Sequence, residues 1–475
     1  MADQGKSFVK NFVGFSLVTW VTFVLSFFTA PISTRLFTPA VLGKINIFNT
    51  YSNLVGILVL VGLDQAFARF YLERPNNKSL GYLFTFCFSI GYSILFVVTI
   101  TAIPFRDFLS WQLFEESDNL LLFLFFFSVF CTSTLRYLNL SYRMEKNIKM
   151  YTIQGILMAL VSKVLYLSVG FWDPSYKPAL IVLTATHFLL AVVFLIIQHD
   201  RFERIREFDK VFAIEMFKYA LPLVPVSILF WANTSVPQLV LQRTMDYYSI
   251  GIYTSAVALA NIINVIQSGF NIYWLPYTYE NYKTQTGQFY KVHRMLLCAL
   301  TLFALMLILS QDVVFLLLGE KYRAAKAFFP FLILGPVCYI IGETTGLGID
   351  ISKKTYLNLI VFTCSVITNI VLCIVFQGLL GIPGVAIATA CAAITALVLK
   401  TIFGEKLYHV VESYGGMIFT LLAIVICAVV TLEIRNVLMR SVLIFAIFSV
   451  SCWFYRKEIL GINKVALSFI KDRKK

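Results

Sequence analysis

Apolar runs of about 20 residues follow one another along the chain with only short polar breaks between them. Each is near the length an α-helix needs to cross a hydrocarbon layer roughly 30 Å thick. They fall near 12–32, 45–66, 80–103, 119–140, 151–171, 178–198 and 215–240 in the first half. The second half adds 249–270, 292–318, 328–348, 356–377, 382–403, 416–432 and 438–455. This pattern predicts an all-α integral membrane protein with about 14 transmembrane helices, since hydrocarbon leaves no water to satisfy an open backbone. No break is long enough for a soluble domain. Function therefore has to sit between helices, where the few polar side chains are the informative ones.

Composition sharpens this reading. Only 13% of the 475 residues are charged, about half the share in soluble domains. The net charge of +14 would suit nucleic acid, but the basic residues sit in the short breaks, where they encode topology instead. If the N-terminus is cytoplasmic, the inner breaks hold basic residues over the outer ones by roughly three to one. Both termini are thus expected in the cytoplasm, with Glu115, Glu116 and Asp118 facing outward. A bacterial inner or plasma membrane fits that bias. The basic end, Lys471 to Lys475, is expected to rest on anionic headgroups.

All nine cysteines lie within apolar runs and none forms a CxxC pair. Buried single thiols behave as small apolar side chains, so neither disulfides nor a metal is expected. The start, MADQGKSFVKNF, lacks a short apolar core with a small-residue cleavage site, and no cleaved signal peptide is expected.

One internal repeat stands out. Arg35, Gly43 and Asn53 recur as Arg243, Gly251 and Asn261, each 208 positions later. The offset spans six helices, so both copies run the same way through the membrane. Parallel repeats of this kind put a central cavity between two lobes, which is a transporter plan.

The stretch from Pro31 to Tyr71 carries Thr34, Arg35, Leu36, Pro39 and Gly43, then Gly62, Leu63, Ala66 and Arg69. Here the chain resembles the polysaccharide flippases of the multidrug/oligosaccharidyl-lipid/polysaccharide exporter superfamily. SIGIYTSAVALANI (Ser249 to Ile262) and GLLGIPGVAIATA (Gly378 to Ala390) are similar to later motifs of that family. The resemblance implies two six-helix lobes, residues 1–210 and 211–410; the two further helices and basic tail at 411–475 depart from the twelve helices of many members. It also implies transport of an undecaprenyl-diphosphate-linked oligosaccharide from the inner to the outer leaflet by alternating access. Polysaccharide polymerase machinery would then be a partner. Pro237–Gln238 stands where many members carry an acidic-basic pair, which puts ion coupling at that point in doubt.

A diphosphate crossing hydrocarbon needs cationic partners. Lys163 lies near the middle of the fifth run, where a lone ammonium is costly. It reads as a phosphate contact, with snorkelling to an interface as the alternative. Arg35 and Arg243, at equivalent points of the repeat, are further phosphate candidates, and Lys44 is a weaker one. All three also read as interfacial charges.

Two carboxylates lie inside runs, Asp64 and Glu343. Either suits coupling to a proton or sodium gradient. Asp64 fits equally a pair with Arg69 or a helix cap, and Glu343 a hydrogen bond to Thr344 or Thr345. No other cofactor is expected. Asn49, Asn53, Asn233, Asn261 and Asn271 carry amides suited to sugar hydroxyls, and amides also join helices. Pro222 and Pro225 allow a bend in the seventh run, as a hinge or a static kink. His187 reads as packed. The aromatic set Tyr273, Trp274, Tyr277, Tyr279 and Tyr282 reads as an interfacial belt.

Two other function classes fit the sequence less well. A drug or cation antiporter of the same superfamily is the main alternative. A membrane enzyme is disfavoured, because the outer breaks are short and no GxxxxGK[ST] run is present.

Overall fold

A computed structural model describes residues 2–73, 79–205, 209–282 and 286–461. The described chain is helical, with no strand. It divides into two compact units, Met1–Ser235 and Val236–Lys475. Among the described residues twelve spans are long and apolar enough to cross a membrane, or up to fourteen if each of two bent helix pairs is one span. The protein is a multi-pass membrane protein, as the spacing of the apolar runs predicts.

The first unit begins with α1 (Ala2–Leu36), α2 (Pro39–Leu60), α3 (Leu63–Glu73), α4 (Leu80–Ala102) and α5 (Arg106–Phe114). It continues with α6 (Asn119–Met144), α7 (Ile148–Lys163), α8 (Tyr176–Ile197), α9 (Lys210–Ala220) and the start of α10 (Leu223–Thr244). Short polar side chains start these helices by accepting from the otherwise unpaired amides of the first turn. Ser79 does so for Tyr82, Asp118 for Leu120, Asn147 for Met150 and Asp209 for Phe212.

Helix α2 and helix α3 form a single span broken by 48°. The break lies at Val61 and Gly62, both in the left-handed region, at φ 47° and 72°. Gly62 is required there twice over. Its φ disfavours a side chain, and a Cβ would lie 2.5 Å from the Ala220 carbonyl oxygen at the end of α9. This contact lets α9 pack on α3, with Phe212, Met216 and Ala220 joining Leu63, Phe67 and Phe70 in one core. That packing is why the first unit extends to Ser235, past the polar link near 206–210 that the sequence offers as a lobe boundary.

The second unit comprises α11 (Tyr247–Ala260), α12 (Asn264–Asn281), α13 (Thr286–Leu309), α14 (Gln311–Leu317) and α15 (Phe329–Thr345). After these come α16 (Leu347–Ile351), α17 (Tyr356–Leu380), α18 (Ile382–Leu407), α19 (Gly415–Glu433) and α20 (Val437–Phe454). Helix α15 is buried along most of its length. It meets the preceding 3-10 turn, Glu320–Ala327, at a bend of 65°. Glycines bring α16 against α18. A Cβ on Gly348 would lie 2.0 Å from the Gly404 carbonyl oxygen, and one on Gly404 would lie 2.2 Å from that of Thr345.

The last two helices are built into this unit. Thr301 of α13 shares a 2.7 Å hydrogen bond with Thr420 of α19, and Arg294 meets Glu458 at 2.6 Å. Arg440 of α20, buried, reaches Asp312 at 2.7 Å.

The 208-residue repeat extends to the backbone. The α1–α2 link is Phe37–Thr38 and the α10–α11 link is Met245–Asp246, so helix ends and helix starts recur at the same offset. Arg35 and Arg243 each lie in the last turn before their link.

Candidate functional site

Charged side chains in apolar helices fall into two groups, those with a carboxylate partner and those without. Lys163 belongs to the second group. It is the last residue of α7, two-thirds along the span Ile148–Phe171, where the helix gives way to the 3-10 turn Leu165–Phe171. This corrects a mid-helix placement, and the cause is the tightening of the chain after Val164. The side chain of Lys163 is exposed, and no described carboxylate pairs with it. Beside it, Ser162 donates to His187 Nε2 at 3.0 Å, while His187 Nδ1 donates to the Leu183 carbonyl at 2.7 Å. His187 is therefore packed and bonded, as expected.

The end of α1 closes on the turn that follows Lys163. A Cβ on Gly170 would lie 2.7 Å from Leu36 Cβ, and Phe37 stacks on Tyr166 at 6.1 Å. Arg35, exposed in the last turn of α1, is thus carried to the segment that Lys163 begins. Two of the predicted phosphate candidates share one neighbourhood of the first unit. Arg243 lies in the second unit, exposed and with no carboxylate partner among the described residues.

Lys44 differs from them. Its ammonium lies 2.9 Å from Glu116 Oε1 and 4.4 Å from the Tyr176 ring centroid. Lys177 meets the other Glu116 oxygen at 3.0 Å and Asp118 at 2.8 Å. Partial burial favours the neutral form of Glu116, but hydrogen bonds from Lys44, Tyr176 and Lys177 outweigh it. They hold the carboxyl at about 2 from an ordinary 4.5. Asp118 is lowered as well, chiefly by its hydrogen bond from Lys177. Lys44 is therefore committed to a charge cluster in the α5–α6 link, which leaves it poorly placed to receive a phosphate.

Both intramembrane acids have cationic partners that local sequence did not suggest. Asp64, in the first turn of α3, is buried, and one of its oxygens accepts from Arg136 Nε at 3.1 Å and from its terminal nitrogen at 2.6 Å. Arg69, the nearer cation in sequence, pairs with Glu73 instead. Glu343 on α15 meets Lys400 of α18 at 3.6 Å. Thr344 and Thr345 are otherwise engaged, with His293 and Thr401. The Lys400 stem runs over Gly346, where a Cβ would lie 2.4 Å from Lys400 Cε. Asp350, just past α15, is raised by burial, opposed by the charge of Lys400 and reinforced by that of Glu343. The charge of Lys400 thus acts on Asp350 as well as on Glu343. Arg136 and Lys400 each lie in an apolar run, the same signal that drew attention to Lys163.

The amides are spread out. Asn49 and Asn53 are exposed on α2, one turn apart. Asn233 on α10 is half-buried, two residues after Trp231, whose Nε1 donates to the Thr50 carbonyl at 2.9 Å. Asn261, at the end of α11, accepts from Asn264 at 3.4 Å. The side chain of Asn271 lies outside the described residues, as do that of Tyr273 and the basic tail. Pro222 sits in the two-residue break between α9 and α10, and Pro225 is the third residue of α10, where the missing amide costs little. They mark a helix end rather than an interior kink. Trp274 corrects the belt reading, being buried, with its indole donating to the Glu343 carbonyl at 3.2 Å.

No group of three or more His, Cys, Asp or Glu able to hold a metal occurs among the described residues.

Comparison with known proteins bears on the whole arrangement. The family model described as "Polysaccharide biosynthesis protein" matches residues 32–327. Among solved structures, the lipid II flippase MurJ in an inward closed conformation matches with a TM-score of 0.65 and 17% identity, covering 94% of this chain and 99% of that one. An inward-facing multidrug resistance MATE transporter of the MOP superfamily matches at 0.55 and 13%, covering 82% and 97%. An outward-facing MATE transporter matches at 0.51 and 14%, covering 84% and 95%. No curated protein matches by sequence. At these identities the solved structures show a shared all-α transporter fold.

Proposed function

The chain belongs to the polysaccharide biosynthesis protein family, and from that premise we propose that it flips an undecaprenyl-diphosphate-linked oligosaccharide from the cytoplasmic to the outer leaflet by alternating access. In this reading it works in a bacterial inner or plasma membrane, with both termini cytoplasmic, and feeds polysaccharide polymerase machinery. The observation that carries it is Lys163. Arg136 and Lys400 have carboxylates beside them, while Lys163, an exposed residue, lies inside a span with none. Holding such a charge at membrane depth is costly unless water or an anion meets it. A diphosphate supplies that anion, and Arg35, brought to the same segment, supplies a second donor set.

Amides on α2 and α11 suit the sugar, and Glu343 with Lys400 suits proton or sodium coupling. The break at Pro222 suits a hinge. The test is flipping of a fluorescent undecaprenyl-diphosphate oligosaccharide in proteoliposomes. Lys163→Ala is expected to slow flipping about ten-fold or more, the worth of one charge-assisted contact, and Arg243→Ala to slow it less. If folded native protein flips no glycan under any ion gradient, drug export replaces this reading. Flipping untouched by both substitutions would keep the function and remove the site.

A further inference from the structure

A lateral groove of about 950 Å³ runs between α4 and α6 in the first unit. The two helices meet at Tyr92, whose hydroxyl bonds Thr134 and whose ring centroid lies 4.9 Å from that of Phe130. Past this contact, α4 ends in a 3-10 turn, Ile103–Phe105, with Pro104 inside it. The chain then enters α5, which turns Leu113 and Phe114 inward. The groove runs from Ser89, one turn before Tyr92, to that turn. Leu95 and Leu122, both buried, form its floor, and Phe96 and Phe123 stand exposed on its two rims.

Charge is confined to one end, where Arg106 and Asn119 complete the lining, while the hydroxyls of Ser93 and Thr99 along the groove donate to carbonyls of α4 itself. Arg106 Nε is 3.9 Å from Asp107, beyond hydrogen-bond range, and the other oxygen of Asp107 already accepts from Ser117 at 2.7 Å. The guanidinium therefore retains its donors. From Ser89 to Ile103 the groove follows α4 for about 20 Å. That is roughly half of a 40–45 Å bilayer, from its midplane to the headgroups of one leaflet.

We infer that this groove is a binding site for an anionic glycerophospholipid, with its acyl chains between α4 and α6 and its phosphate at Arg106. The walls match hydrocarbon, the single cation sits where a headgroup would lie, and the length matches one leaflet. A long isoprenoid diphosphate shares the phosphate chemistry but overruns a furrow that stops at the midplane. The site stands apart from the flipping reading and does not depend on it.

The experiment uses the full chain in phosphatidylcholine nanodiscs, doped with a phosphatidylglycerol carrying a diazirine in its acyl chain. Adducts are mapped by mass spectrometry. Labelling is expected on the facing residues of α4 and α6, and to fall about five-fold in Arg106→Ala, the effect of one basic residue at a membrane surface. Arg106→Lys is expected to retain most of it. Leu122→Trp, which fills the floor with the arginine intact, is expected to remove it. Labelling of the exposed ridge Ile367, Ile370 and Ile374 on α17 reports that each variant is folded. Equal groove labelling by a phosphatidylcholine probe, or none lost in Arg106→Ala and Leu122→Trp, overturns the site. Displacement of the label by equimolar undecaprenyl diphosphate also overturns it, and gives the groove to that lipid.

Discussion

Arg136 on α6 and Glu343 on α15 lie 207 positions apart, within one residue of the 208-residue repeat, and they carry opposite charges. Each unit thus sets one member of an ion pair on the equivalent helix, and the two pairs are built in different ways. In the first unit a single Asp64 oxygen takes two nitrogens of one arginine, at 2.6 and 3.1 Å. In the second, Lys400 stands 3.6 Å from Glu343, and its charge also acts on Asp350. A guanidinium fork makes a clamp, whereas a single ammonium makes a looser pair. The same kind of residue does structural work in one unit and is suited to coupling in the other.

Glycine substitutions test the frames that hold these pairs, and carry the largest expected effect. Gly348→Ala would force a Cβ to 2.0 Å from the backbone of Gly404. It is expected to cost on the order of 3 kcal/mol or more, seen as a large drop in thermal unfolding temperature or loss of folded protein in detergent. A wild-type melting curve would refute the tight α16–α18 crossing.

Next in size is Asp64→Asn, expected to cost about 2 kcal/mol. That is below the cost of breaking a fully buried pair, because Arg136 is more than half exposed. Glu343→Gln leaves Asp350 for Lys400 and is expected to cost under about 1 kcal/mol. Its signature is functional, in that transport in proteoliposomes should stop responding to an imposed proton or sodium gradient. If Asp64→Asn abolishes that response and Glu343→Gln preserves it, the assignment of roles is inverted.

The smallest effect concerns the charge cluster at Glu116. Its folded carboxyl is depressed from 4.5 to about 2, so its contribution is complete above the ordinary value and lost as pH falls through the depressed one. Melting temperature is expected to dip slightly over that window in native protein, and Lys44→Ala to flatten the dip. An identical pH profile in both would show that the cluster adds nothing.

Most of the architecture was legible in the chain. Hydropathy predicts about fourteen crossings, and the described residues hold twelve to fourteen candidates, because span length depends on local transfer free energy, which a run of residues carries within itself. Partners were not legible. Asp64 and Arg136 are 72 positions apart, and Glu343 and Lys400 are 57 apart. The nearer candidates Arg69, Thr344 and Thr345 are engaged elsewhere. The break at Val61–Gly62 was hidden for a related reason, since it depends on the Ala220 carbonyl arriving from another helix. Trp274 misled because an indole reads alike at a headgroup and in a core with one hydrogen bond. The repeat was legible in three residues, and helix ends at the same offset extend it.

Asp312 and Arg440 are 128 residues apart, and this spacing sets an order of events at the ribosome. Lys326, 14 residues downstream and 2.6 Å from the carboxylate, is made almost at once. At about 5–20 residues per second, Arg440 follows Asp312 by roughly 6–25 s. For that interval the nascent second unit has only the lysine to neutralise this acid. The second cation arrives only with α20.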